Sequence, residues 1–160
     1  AAGYSRGLPA HRFGSKSGLG RALAADIGER FKAQREAAPE RAPGLDSIRG
    51  SIDVYFGRKD GWVTTRALLV MMTEGFMEPS EVRQHIAAYN RSSLTYFVNH
   101  IRIGIENGEI PPRIDPETSA VVLLGAMRGV MLQWLSDSEI DLAKVRDCLQ
   151  AVVDQVLSLR

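Results

Sequence analysis

The chain has 160 residues, about one domain, and its 44% hydrophobic and 24% charged residues are typical of a soluble globular protein, which excludes a disordered tail, a collagen and a disulfide scaffold. Cys148 is the single cysteine, so an intrachain disulfide and a cysteine-rich metal site are excluded as well. The net charge of +1 conceals an uneven distribution: residues 1–35 carry seven basic and two acidic side chains, and the remainder carries thirteen and seventeen. A basic end on a mildly acidic body indicates contact with a polyanion, although chance clustering on a solvated face would give the same pattern.

Apolar residues recur at helical spacing along the chain, and no run of alternating apolar and polar residues indicates a strand. The first two predicted helices cover residues 5–13 and 15–34, with Ser5 and Ser15 as their capping residues. Residues 35–44 contain Pro39 and Pro43 and are typical of a linker. We therefore predict a small N-terminal unit, residues 1–35, and a larger body, residues 36–160.

Five further helices are predicted in the body. They cover residues 45–56, 62–76, 80–107 and 116–135, and the last runs from Ser138 or Asp141 to about Ser158. Gly57 and Gly108 follow two of these helices, as glycine often does at a helix C-terminus. Asp115, Pro116 and Glu117 are a strong start signal, because they supply a capping side chain, a proline in the first turn and an acid near the positive end of the helix dipole.

The last two helices have more apolar positions than one core can cover. The helix after Asp115 has two apolar stripes, and Arg128 interrupts the second. We therefore predict that both helices also contact a second subunit about a two-fold axis, with Gly125 and Gly129 allowing close approach. A helical hairpin buried at the centre of a monomer would have the same composition. The predicted interface residues are Val121, Leu124, Gly125, Arg128, Leu132, Leu135, Leu149, Val152, Val153 and Val156.

Methionine and aromatic residues recur on three helices of the body. Such side chains, with a few polar tips, make an adaptable lining for a small apolar ligand. An ordinary hydrophobic core would show the same stripes. The predicted pocket residues are Trp62, Met71, Met72, Phe76, Tyr89, Tyr96, Phe97, His100, Met127 and Met131.

Catalytic and metal-binding motifs are not supported by their context. Residues 3–7 match the G-x-S-x-G pattern of serine hydrolases, but no strand or sheet is predicted around them. His85 and His100 would lie about 22 Å apart along one helix, too far to share a metal ion. The sequence has no P-loop, dinucleotide-binding or zinc-protease motif. We therefore predict a protein that is not an enzyme and that uses no metal or other cofactor.

The expected location is the cytoplasm. The N-terminal residues lack the apolar segment of a signal peptide. The longest uninterrupted apolar runs, such as residues 119–127, are far shorter than the roughly 20 residues that span a membrane. We therefore predict a soluble protein without a membrane partner.

Residues 2–7 (Ala-Gly-Tyr-Ser-Arg-Gly), followed by residues 11–16 (His-Arg-Phe-Gly-Ser-Lys) and Leu19, resemble the second half of the helix-turn-helix of TetR-family transcription regulators. The body is similar in layout, with Gly-Glu-Ile and Asp-Pro-Glu within residues 108–117 and Gly-x-x-x-x-Trp-Leu over residues 129–135. The resemblance implies an all-α fold made of a partial helix-turn-helix DNA-binding unit and a helical ligand-binding and dimerisation domain.

In that family the first helix and most of the second normally precede this point, so we expect the chain to begin inside the motif. The family's usual Thr-Leu-Tyr is replaced by Leu8-Pro9-Ala10, which implies a different base preference. The resemblance makes Arg6 the reader of a base edge and places phosphate contacts on the basic residues after it. The DNA-contacting residues that it implies are Ser5, Arg6, Gly7, Leu8, Ala10, His11, Arg12 and Lys16.

The function that follows is that of a DNA-binding transcriptional regulator. The resemblance implies a ligand-responsive repressor that acts as a homodimer on a palindromic double-stranded DNA operator, with a small apolar ligand in each body. The alternative is a helical small-molecule-binding or adaptor domain without DNA activity.

Overall fold

The structure is a computed structural model that describes residues 16–37, 39–57, 65–67, 69, 70, 72, 73 and 81–158. Within these ranges every regular element is an α-helix, as the periodicity predicts. The helices are α1 (Lys16–Glu36), α2 (Leu45–Gly57), α3 (Glu81–Glu106), α4 (Pro116–Ser136) and α5 (Leu142–Leu157). Residues 65–67, 69, 70, 72 and 73 are also helical.

The predicted helix boundaries agree with the structure to within two residues wherever the structure describes them. The last helix begins after Asp141 rather than Ser138. The helix predicted over residues 5–13 lies outside the described residues. The predicted domain boundary between residues 35 and 36 falls within the last turn of α1, which ends at Glu36 and packs against α3 of the body. The division into two units stays a prediction.

Side-chain caps define where α4 and α5 begin. The carboxylate of Asp115 accepts a hydrogen bond from the backbone N–H of Thr118 at 2.8 Å, and Pro116 occupies the first turn. Asp141 accepts from the N–H groups of Ala143 and Lys144 at 3.1 and 3.2 Å. The hydroxyl and N–H of Thr118 lower the pKa of Asp115 below its ordinary value, and the N–H of Lys144 is the main cause that lowers the pKa of Asp141, because these bonds favour the charged carboxylate.

The start of α2 is held by residues that lie more than fifty positions later in the sequence. The N–H of Leu45 donates to Oε2 of Glu109 at 2.9 Å, and the N–H of Gly44 donates to Nδ1 of His100 at 3.2 Å. Gly44 has a φ of 111°, a conformation that glycine adopts without steric cost. The C-terminal end of α3 and the segment after it therefore fix where α2 begins.

The main core lies between α2, α3, α4 and α5. Its most deeply buried members are apolar side chains with at most 4% of their surface exposed: Ile48, Ile52, Phe56, Leu69, Ile101, Ile110, Ala120, Met127, Met131, Val153 and Leu157. Helix α3 packs against α1, α2 and α4, and α5 packs against α2. Helix α3 is therefore the central element of the described fold.

Among the side chains that the structure describes, those of α1 contact the body in a second, smaller cluster. Ile27 of α1 and Ile86 of α3 are buried together, and Tyr55, Met72 and Tyr89 pack around them. Tyr55 also packs against the main core, so it connects the two clusters.

Helix α4 is long and apolar enough, by length and composition, to cross a membrane, with a mean hydropathy of 1.3 over an 18-residue window. It contains no uninterrupted apolar run of that length, because polar residues such as Arg128 and Gln133 divide it. Its apolar residues divide into a side buried in the subunit and an exposed side that includes Val121, Val122 and Leu132. Arg128, near its middle, is buried against α3, which indicates a protein neighbour on that side rather than lipid.

Candidate functional site

A cleft of about 260 Å³ opens between α1, α2, α3 and α4. Its wall combines apolar, hydroxyl and charged side chains, so it differs from a dry core cavity. The residues that line it are Gly28, Glu29 and Lys32 of α1, Ser51, Val54 and Tyr55 of α2, Tyr89, Ser92, Ser93, Tyr96 and Phe97 of α3, and Leu124, Met127 and Arg128 of α4.

Four of the residues predicted for the pocket line this cleft. Tyr96 and Phe97 are adjacent on α3, Tyr89 lies about two turns before them, and Met127 lines the cleft from α4. The rings of Tyr96 and Phe97 meet edge to face at 5.5 Å, which fixes the orientation of both rings. These four side chains therefore share the wall of one cleft, and their role in binding a ligand stays a prediction.

Three other predicted pocket residues lie elsewhere. Met131 is fully buried in the main core, and Met72 packs against the small cluster under α1. His100 is not among the cleft residues: its Nδ1 accepts the hydrogen bond from Gly44, and its ring contacts Tyr96 at 4.4 Å. Trp62, Met71 and Phe76 lie outside the described residues.

Most of the predicted DNA-contacting residues also lie outside the described part of the chain. These are Ser5, Arg6, Gly7, Leu8, Ala10, His11 and Arg12. Lys16 is the first residue of α1, and only its backbone is described. The DNA contacts therefore stay predictions.

The polar part of the cleft was missed in the pocket prediction. Arg128 is only 9% exposed, and its Nη1 donates a hydrogen bond to Oδ1 of Asn90. Its guanidinium also lies over the ring of Tyr89, 6.0 Å from the centroid, in cation–π geometry. Burial lowers the pKa of Arg128, since desolvation disfavours the charged form.

Tyr55 and Ser51 add hydroxyl groups from α2. Burial raises the pKa of the Tyr55 phenol far above its ordinary value, although the nearby Arg128 acts in the opposite direction. Ser51 donates to the hydroxyl of Tyr96 at 3.2 Å. The cleft can therefore offer neutral hydroxyl groups and one buried cation to a ligand.

The predicted interface residues separate into an exposed set and a buried set. Val121, Leu132, Val152 and Val156 are 46–56% exposed, an unusual state for large apolar side chains, and a Cβ added at Gly125 would touch nothing within 4 Å. Leu135 and Leu149 are partly buried. Leu124, Arg128 and Val153 are at most 9% exposed within the single subunit, so their side chains do not lie on the exposed face.

The exposed residues form one apolar face on each of the last two helices. On α4, Val121, Gly125 and Leu132 follow helical spacing, and on α5 Leu149, Val152 and Val156 do so.

No cluster of three or more potential metal-ligating side chains occurs in the part of the chain that the structure describes. The described features are thus a mixed-polarity cleft and two uncovered apolar faces.

No known family profile matches the chain, and no curated protein matches its sequence. Solved structures do match its fold. A protein assigned to the TetR-family transcriptional regulators, from Rhodococcus sp., is 24% identical with a TM-score of 0.80, and the match covers 98% of this chain and 83% of that chain.

Two further structures support the same fold. A TetR transcriptional regulator from Chloroflexus aurantiacus is 18% identical with a TM-score of 0.76, over 94% of this chain and 78% of that chain. GusR from Salmonella enterica is 20% identical with a TM-score of 0.71, over 96% and 78%. The chain therefore has the all-α fold of TetR-family regulators.

Proposed function

We propose that this chain, which has the fold of the TetR-family regulators, is a member of that family and acts as a soluble, cytoplasmic, DNA-binding transcriptional regulator. The observation that carries the proposal is the match to regulator structures over nearly the whole chain. The Ala-Gly-Tyr-Ser-Arg-Gly segment and the basic residues after it add an independent argument from the sequence. In this proposal Arg6 reads a base edge, and His11, Arg12 and Lys16 hold phosphates.

The proposed active form is a homodimer. The apolar faces of α4 and α5 expose valine and leucine side chains that water would otherwise surround, and burying such side chains is the main favourable term in association. Gly125 and Gly129 leave room for a close neighbour along α4. A two-fold axis through these faces would present two DNA-binding units to successive major grooves of a palindromic site.

The cleft is proposed as the effector site, and α1 as the element that responds. Gly28, Glu29 and Lys32 of α1 line the cleft, so a ligand there would contact α1 and the body together. In this proposal the ligand shifts α1 relative to the body at the cluster of Ile27 and Ile86, which Tyr55 connects to the main core. The ligand must bind more tightly to the conformer that releases DNA, since equal affinity for both conformers shifts nothing. This is the behaviour of a repressor that leaves its operator when the ligand binds.

The test is fluorescence-anisotropy binding of the full-length protein to the DNA upstream of its own gene, at two salt concentrations and against random competitor DNA. We expect specific binding that exceeds binding to the competitor and weakens at higher salt, because basic residues release counterions from DNA. Equal binding to every duplex, or no binding by ligand-free protein, would contradict the proposal. No binding together with ligand uptake would favour the small-molecule-binding or adaptor domain.

A further inference from the structure

Arg128 is the buried charge of the cleft. It projects from α4 among Tyr89, Leu124 and Met127, and its side chain is largely removed from water. A guanidinium has five N–H donors in a planar fork. Among the described residues, one of these donors is paired, with the neutral amide oxygen of Asn90.

No carboxylate among the described residues forms an ion pair with Arg128. The acidic residue of the cleft lining is Glu29 on α1, which is exposed and therefore screened by water. Lys32, one turn further along α1, is also exposed and lies beside Glu36. A buried cation that lacks a counterion is costly, and this cost is reflected in the lowered pKa of Arg128.

The rest of the cleft suits a small apolar body. Tyr96, Phe97 and Met127 supply a flat and adaptable wall. The volume of about 260 Å³ is close to the lower limit of about 300 Å³ for small-molecule sites. A ligand of one or two aromatic rings, or a short aliphatic chain, is therefore the appropriate size.

We propose that the cleft binds a small organic acid, with its apolar body on the aromatic wall and its oxyanion paired with Arg128. The planar fork of arginine matches a carboxylate with two parallel hydrogen bonds, and such charge-assisted bonds are stronger in a site shielded from water. This inference rests on the proposed effector role of the cleft and names its ligand class. It adds an acidic group to the small apolar ligand that the sequence predicts.

Isothermal titration of the full-length, DNA-free protein tests this inference with three matched pairs: benzoate and benzamide, 2-naphthoate and 2-naphthamide, octanoate and octanamide. Each pair has nearly the same shape and differs in charge. We expect at least one acid to bind at least tenfold tighter than its amide. Equal affinities within every pair, or no binding of any acid at millimolar concentration, would overturn the inference.

Variants then assign the preference to Arg128. Arg128→Met replaces the guanidinium with an unbranched, uncharged side chain and should abolish the acid preference. Arg128→Lys keeps the positive charge but lacks the planar fork of donors, so it should retain part of the preference. Arg91→Met removes one exposed positive charge from α3 and should bind the acids as the parent does. A preference that survives Arg128→Met in a protein with an unchanged helical spectrum would overturn the assignment.

The two proposals fail separately in these experiments. Operator binding with no acid preference would reject the ligand class and leave the regulator proposal standing. An Arg128-dependent acid preference without operator binding would reject the regulator and leave the ligand class.

Discussion

The backbone N–H of Gly44 donates a hydrogen bond to Nδ1 of His100 over 3.2 Å, which links the start of α2 to α3. An imidazole nitrogen that accepts a hydrogen bond carries no proton, so this contact requires the neutral ring in the tautomer that is protonated at Nε2. Burial separately lowers the pKa of His100, because desolvation disfavours the imidazolium.

The first prediction is a loss of stability in mild acid. Because the folded pKa of His100 lies below the ordinary value of about 6.5, the unfolded chain binds more protons between these two values. The contribution to the free energy of unfolding is complete above about pH 6.5 and falls as the pH drops from there towards the folded pKa. Urea unfolding across this range should show the decline.

The matched variant is His100→Asn, whose side-chain oxygen can accept the same hydrogen bond and does not titrate in this range. The difference between the two unfolding curves isolates His100 from other histidines. We expect the variant to lose less stability between neutral pH and about pH 5. An identical pH dependence in both proteins would contradict the assignment.

The second prediction concerns Gly104, which lies against a fully buried residue. A Cβ at this position would stand 2.6 Å from Cδ1 of Ile110, and the carbonyl of Gly104 accepts the N–H groups of Glu109 and Ile110. Gly104→Ala should lower the free energy of unfolding by about 1–3 kcal/mol, as overpacking does. Gly57→Ala is the control, since a Cβ there touches nothing within 4 Å.

A double-mutant cycle with Ile110→Val tests the cause. Valine lacks the Cδ1 atom that the new methyl group would meet. Gly104→Ala should therefore cost less stability in the Ile110→Val background than in the parent. Additive losses in urea unfolding would show that the contact with Cδ1 of Ile110 is not the reason.

The third prediction is a monomeric variant. Val121→Glu combined with Leu132→Glu places charges on the exposed face of α4, where burial in an interface would be costly. In sedimentation velocity the double variant should be monomeric where the parent is dimeric, and its operator affinity should fall at least about tenfold. Val70→Glu is the control, because Val70 is 53% exposed, similar to Val121 and Leu132, and lies outside the last two helices. The control variant should stay dimeric. A dimeric double variant would refute the interface.

The fourth prediction tests the base-reading role of Arg6. An arginine that bonds guanine through two hydrogen bonds is worth about 1–3 kcal/mol at one base pair. Arg6→Ala should therefore weaken operator binding by this amount and relax the preference at one position. Lys16→Ala, which removes a proposed phosphate contact, should weaken binding to all sequences alike. Anisotropy titrations on single-substitution operators distinguish the two, and a uniform loss for Arg6→Ala would contradict its role.

Local signals explain why the helices could be predicted. Asp115-Pro116-Glu117 and Asp141 cap their helices through hydrogen bonds to N–H groups two or three residues away, so a short stretch of sequence contains the whole interaction. The aromatic wall of the cleft was also predictable, because Tyr89, Tyr96 and Phe97 share one face of a helix.

The orientation of Arg128 and the hydrogen-bond partner of His100 could not be predicted from local sequence patterns. Seven residues after Val121, Arg128 is rotated by only about 20° from it around the helix. Periodicity therefore could not decide that Val121 faces outward while Arg128 faces α3. His100 meets Gly44, 56 positions earlier in the chain, and no local pattern contains that contact.

Hydroxyl-radical footprinting of the full-length protein on the DNA upstream of its gene tests the central claim most directly. A homodimeric regulator with one recognition helix per subunit should protect two half-sites of related sequence, whose centres lie about one helical turn apart. Addition of an organic acid that binds the cleft should remove the protection. Protection that is uniform along the duplex, or absent at every concentration of ligand-free protein, would contradict the account.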